Sequence, residues 1–213
     1  MTIQYLPGKG YDSNIYLVTG GDPILVDTGT GRYSQALLGK ITSLVDISKL
    51  RRIVLTHRHY DHVGGAAFFK SRLEAEVFIH QDDATVVMCA DGRGTMADAF
   101  GERLDPMEVT SLKGGEVIST GEHDLQVIHT PGHSAGSICL FDEKDGDLIS
   151  GDTVFLGGVG RWDLPSGDYE ALVRSVKTLL GLAPKSIYPG HGPCGLGNGE
   201  MLIAEALNNL GES

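Results

Sequence analysis

Positive charge is scarce in this chain: 17 Lys and Arg stand against 28 Asp and Glu, giving a net charge of −11 over 213 residues. A surface that tracks phosphate backbones or anionic lipid needs clustered cations, so nucleic acid and membrane are both disfavoured as partners. Cysteine is scarcer still. Cys89, Cys139 and Cys194 are odd in number, widely spaced and free of any Cys-x-x-Cys pattern. That argues against a disulfide framework and for a reducing, cytoplasmic setting. The opening Met1-Thr2-Ile3-Gln4-Tyr5 lacks the basic and apolar regions of a signal peptide. No apolar run approaches the length of a membrane span.

Glycine, in contrast, is plentiful and falls in pairs at Gly20-Gly21, Gly64-Gly65, Gly114-Gly115 and Gly157-Gly158. Such pairs punctuate a fold of many tight connections. The length suits one domain spanning residues 1–213.

Alternation and apolar runs predict strands over Asn14–Thr19, Ile24–Asp27, Arg52–Leu55 and Val77–Ile79. Later strands are expected at Val117-Ile118, Leu125–His129, Ser137–Phe141, Leu148-Ile149 and Ser186–Tyr188, with a hairpin turn at Glu143–Gly146. Helical spacing predicts helices over Tyr33–Val45, Val63–Leu73, Asp82–Met88, Tyr169–Leu180 and Glu200–Leu210. Their apolar faces read as core. Residues 89–111 show no clear period and are expected to wall or cover a pocket. Strands mixed with helices in two successive halves predict an α/β (α+β) protein whose two sheets are covered by helices outside.

The densest chemistry is Thr56-His57-Arg58-His59-Tyr60-Asp61-His62, directly after the apolar run Ile53-Val54-Leu55. Imidazole nitrogens and carboxylate oxygens suit zinc, iron or manganese. So many ligand types in one loop exceed what one four-coordinate ion requires once other segments contribute, which hints at two ions. Three further ligand types follow strand ends beside Gly or Pro: His133 after Thr130-Pro131-Gly132, Asp152 after Ser150-Gly151, and His191 after Tyr188-Pro189-Gly190. Loops on a rigid scaffold are where such groups concentrate. The candidate metal ligands are therefore His57, His59, Asp61, His62, His133, Asp152 and His191, with Asp152 suited to bridge because its two oxygens can each meet an ion. Asp27, in Asp-Thr-Gly, reads as a turn device whose carboxylate accepts backbone hydrogen bonds. His80, His123 and His129 read as structural.

Taken in order, Asn14–Thr19, Leu25–Gly29, Thr56–Gly65, His129–Ser137, Ser150–Asp152 and Tyr188–Pro193 resemble the metallo-β-lactamase superfamily, over most of the chain. The resemblance implies a four-layer αβ/βα sandwich with the metals at one edge of the sheets. It assigns His57, His59 and His133 to one ion, Asp61, His62 and His191 to a second, and Asp152 to both. Within the superfamily the chain looks most like glyoxalase II-like hydrolases, because Asp152 stands where true β-lactamases carry Cys or Ser. It ends about twenty residues after His191. A short form without the glutathione-binding helical domain is thus expected, and a glutathione thioester is disfavoured. Gly160-Arg161-Trp162-Asp163 resembles a stretch of short glyoxalase II-like proteins and persulfide dioxygenases. Arg161 is either a contact for an anionic substrate or, preferably, the partner of Asp163.

The implied activity is that of a metal-dependent hydrolase. A hydroxide bridging two divalent ions, zinc first, would cleave a thioester, ester or lactone of a small molecule, with Asp61 orienting it. The first alternative is a mononuclear iron persulfide dioxygenase using His57, His133 and Asp152. The second is a ribonuclease of the same superfamily, which the acidic charge disfavours. A metal-binding protein without catalysis is the least favoured reading.

Overall fold

Two short hairpin strands, β1 (Ile3–Leu6) and β2 (Ile15–Val18), begin the chain, and β3 (Ile24–Val26) returns antiparallel to β2. The computed structural model describes residues 3–211. Met1, Thr2, Glu212 and Ser213 lie outside the described residues, and with them part of the N-terminal stretch read above. After α1 (Ser34–Leu44) the chain re-enters the sheet as β4 (Arg52–Val54), parallel to β3. The helices α2 (Tyr60–Val63) and α3 (Ala66–Leu73) then lead to β5 (Glu76–His80), α4 (Gln81–Met88) and the edge strand β6 (Thr110–Leu112). The first sheet runs β1-β2-β3-β4-β5-β6.

The second half is a meander of β7 (Val117–Ser119), β8 (Asp124–His129), β9 (Ile138–Asp142) and β10 (Asp147–Gly151). A two-stranded ribbon, β11 (Val154–Phe155) and β12 (Gly158–Val159), precedes α5 (Tyr169–Gly181). Then β13 (Ser186–Pro189) joins β10 in parallel, and α6 (Gly199–Asn209) packs beside α5. The second sheet runs β13-β10-β9-β8-β7.

Three apolar clusters fix the layers. Leu37, Ile41, Phe69, Leu73 and Val87 of the first-half helices pack on Leu25, Ile53, Val77 and Ile79 of their sheet. Leu172, Val176, Leu179, Ile203 and Ala206 of α5 and α6 cover Leu148 and Ile187 of the other. Between the sheets, Val18, Ile24, Val26 and Val54 meet Leu125, Val127, Leu140 and Ile149. Each fully buried Val, Leu, Ile or Phe among them contributes roughly 1.5–3 kcal/mol. The result is helix, sheet, sheet, helix.

The expected elements are present with three corrections. The helix expected over Val63–Leu73 is broken at Gly64-Gly65, which press against the Thr28–Thr30 turn. A Cβ on Gly64 would lie 2.5 Å from the Thr30 carbonyl oxygen, and one on Gly65 2.5 Å from that of Thr28. β1, β6 and the β11–β12 ribbon were not expected from the sequence. All three are short, and β1 is a partly exposed edge with weak alternation. Residues 89–111 hold one 3-10 turn, Ala97–Phe100.

Candidate metal centre

The parallel strands β3 and β4, and β10 and β13, all end at the same rim, and the seven ligand-type residues lie just beyond those ends and that of β8. His57 leaves β4, His59 caps the start of α2, and Asp61 and His62 ride on its single turn. His133, Asp152 and His191 follow β8, β10 and β13. The packing there is tight: a Cβ on Gly190 would overlap Asp152 Oδ1, so only glycine lets β13 pass the site.

The seven divide into two facing groups. His57 Nε2, His59 Nδ1 and His133 Nε2 form a triangle with sides of 3.1, 2.8 and 3.2 Å. One face of a tetrahedral zinc site has nitrogens about 3.3 Å apart. Opposite it, Asp61 Oδ2 lies 3.0 Å from His191 Nε2 and 3.8 Å from His62 Nε2. Asp152 faces both groups. Its Oδ1 is 3.3 Å from His62 Nε2, and its Oδ2 is 3.6 Å from both His133 Nε2 and His191 Nε2. His62 Nε2 and Asp152 Oδ1 are buried without a hydrogen-bond partner among the described residues, as is His59 Nε2. Buried polar atoms are seldom left so. Two of these orphans are candidate donor atoms aimed inward, so the residues fit a cation.

Outer hydrogen bonds turn the rings inward. His57 Nδ1 donates to Thr56 Oγ1 (3.1 Å), His62 Nδ1 to Asp27 Oδ2 (2.8 Å) and His133 Nδ1 to the Arg161 carbonyl (2.7 Å). Each turns Nε2 toward the centre, the orientation that metal-binding histidines require. Burial, followed by the surrounding imidazoles, pushes His57 well below its ordinary pKa. Burial and then His133 bring His59 down to about 3. Both are neutral, ligand-ready rings. Burial alone would lower His62, but Asp152, Asp27 and Asp61 outweigh it and hold its proton firmly. A metal ion would take that proton's place. Burial would likewise raise Asp152, yet His62 foremost and then His133 and His191 keep it ionised.

Asp27 is therefore more than a turn device. At φ +60° its carboxylate accepts from the Thr56 N–H and hydroxyl, both at 2.8 Å, as well as from His62. Asp83, unremarked in the sequence, is fully buried. It accepts from Arg58 N (3.0 Å), Ser134 Oγ (2.6 Å) and Gly136 N (3.0 Å), tying the His57–His59 loop to the His133 loop. Burial pushes its carboxyl up, and Ser134 and Arg58 counter that in part. Arg58 extends the tie by donating to Pro165 O and Ser166 Oγ. Asp83 reads in sequence as an ordinary acid in a first helical turn, so no local signal marks it. Arg161 is exposed and grips Asp163 with two hydrogen bonds of 2.9 and 2.7 Å. His80 stacks on His129 with centroids 3.8 Å apart, and both of its nitrogens are hydrogen bonded. His123 pairs with Asp142 at 2.8 Å.

A cleft of about 800 Å³ opens above His59, Asp61, His133, Asp152 and His191. Its walls include Met96, Ala99 and Phe100, which places the irregular 89–111 segment beside the site.

With the two-sheet fold and this cluster, residues 8–191 match the metallo-beta-lactamase superfamily. The chain is 35% identical to a probable metallo-hydrolase of Methanocaldococcus jannaschii over 91% of its length and 94% of the relative's. It is 32% identical to the acyl-coenzyme A thioesterase MBLAC2 of Homo sapiens, over 86% and 74% of the two chains. The crystal structure of TTHA1623 in a di-iron-bound form superposes with a TM-score of 0.75 at 35% identity, covering 90% of this chain and 93% of that one. The chain belongs to the metallo-β-lactamase superfamily, whose members bind divalent metals. No helix among the described residues is long and apolar enough to cross a membrane.

Proposed function

We propose that the protein is a dinuclear metal hydrolase that cleaves a thioester, ester or lactone-type bond of a small molecule. The observation that carries this reading is the pair of ligand groups on either side of Asp152, at the floor of one open cleft. His57, His59 and His133 would hold one divalent ion, Asp61, His62 and His191 the other, and Asp152 both. Nitrogen-rich donors favour zinc, while the di-iron form of a relative supports iron as the competing metal. Two such ions supply an activated water near neutral pH and an electrophile for the substrate carbonyl.

The chain's own residues do the rest. Asp27 holds the His62 ring in place, and the Arg161 carbonyl does the same for His133. Asp61 Oδ2, 3.0 Å from His191 and on the cleft wall, is placed to orient a water. Among the described residues the arginines of the cleft are paired, Arg32 with Glu102 at 2.6 Å and Arg161 with Asp163, which counts against a nucleic-acid substrate. Arg161 would touch an anionic substrate only by leaving Asp163.

Metal content per chain and thiol release from model thioesters test the reading together. About two ions and hydrolysis that is lost in His62→Ala support it. One iron, oxygen uptake with a persulfide and retained activity in His62→Ala would replace it with the mononuclear dioxygenase.

A further inference from the structure

We propose that the wall formed by Tyr11, Tyr60, Met96 and Phe100 is an acyl-binding surface, and that the substrate is a thioester with an extended apolar or aryl acyl group. This rests on the hydrolase reading and assigns the half of the substrate that reading leaves open.

Five aromatic residues, Tyr11, Tyr33, Tyr60, Phe100 and Phe155, line this one cleft. Phe100 packs at 5.5 Å from the Tyr60 ring and edge-on at 5.8 Å from Tyr11. The three rings make a continuous apolar band. It starts at Tyr60, the residue before Asp61, and runs outward to Tyr11, which is 73% exposed. Met96, beside it on the cleft wall, is held at φ +64°, a conformation costly for a side-chain-bearing residue. The Thr95 carbonyl just before it accepts from Tyr60 N at 2.8 Å, so the wall is anchored to the helix that carries Asp61 and His62. Tyr60 is buried and Phe100 half-buried, so the band is rooted in the core and opens to water at Tyr11; an apolar wall anchored in this way beside a reaction centre calls for an apolar ligand.

The thioester bond has two sides. Biological thiol carriers are polar and anionic, and the band carries no cation, so the acyl side matches it. Of the cations of the cleft, Arg32 comes near Tyr60 but is held by Glu102, Arg161 is held by Asp163, and Lys9 sits over the Tyr33 ring at 5.5 Å. Each acyl methylene that leaves water on this wall strengthens binding by a factor of about two to four.

The test uses the metal-loaded enzyme and S-acetyl, S-butyryl, S-octanoyl and S-phenylacetyl thioesters of one thiol. The octanoyl-to-acetyl ratio of kcat/KM should exceed about tenfold. It should fall to about threefold or less in Phe100→Ala and Tyr11→Ala and be kept in Tyr11→Phe, with unchanged metal content and melting temperature. A flat acyl-length profile in the unaltered enzyme, or a ratio that survives both alanine variants, overturns the proposal. Calorimetric binding of octanoate separates it from the hydrolase reading. Octanoate binding that weakens in Phe100→Ala, without turnover of any thioester, would keep the apolar surface and remove the hydrolase. Turnover of acetyl thioester without octanoate binding would do the reverse.

Discussion

The two halves of the candidate metal centre share the His57–His62 loop but differ in their donors and in their exposure. The His57–His59–His133 group presents only nitrogen: all three rings are buried, with His59 and His133 at the floor of the cleft, and His57 and His59 are held neutral. The Asp61–His62–His191 group meets the cleft, with the His191 side chain 39% exposed and Asp61 bringing a carboxylate. The first group is an all-nitrogen cage, whereas the second joins the fully buried His62 ring to a carboxylate and to the half-exposed His191, which solvent and substrate can reach. The lesson is that a dense motif need not build equivalent sites. His59 at the start of α2 and Asp61 two residues later already belong to different groups.

The sharpest way to break this comparison is to remove the one side chain that serves both halves. Asp152→Ala should lower hydrolysis by more than the roughly 100-fold loss typical of deleting an outer-shell partner, and metal content should fall at both positions. Next is His191→Ala, which opens only the exposed half. About one ion per chain should remain after dialysis and hydrolysis should collapse, whereas retention of two ions would mean that the halves are not independent. Asp27→Asn tests the outer support that Asp27 gives to His62 directly and to Thr56 beside it. A loss of about 10–100-fold in affinity for the more weakly held ion is expected by metal titration. The smallest effect on chemistry should come from Asp83→Asn, which sets an amide donor against the N–H of either Arg58 or Gly136. It should cost about 1–3 kcal/mol of stability by denaturant unfolding, with metal stoichiometry retained.

How legible this was in the sequence depended on whether the signal was local. The seven ligand types stood out because they are chemically uniform and follow strand ends, and α1, α5 and α6 because their apolar faces repeat. The break between α2 and α3 was hidden because Gly64-Gly65 is explained only by the Thr28–Thr30 turn, a contact from more than thirty residues away. Asp27 and Asp83 were misjudged or missed for the same reason. Their partners are Thr56 and His62 for one, and Arg58, Ser134 and Gly136 for the other, all distant in sequence. The aromatic wall draws on Tyr11, Tyr60 and Phe100, which no single window displays together.

The hydrogen bond between Asp61 and His191 joins residues 130 positions apart, one from each half of the chain. An ion held between them would be a cross-link as much as a reagent. It would bind the assembled protein and not the unfolded chain, so its affinity would add directly to the work needed to pull the two halves apart. Thermal resistance would then rise with free metal concentration, and a chelator would act first as a solvent for the seam between the sheets.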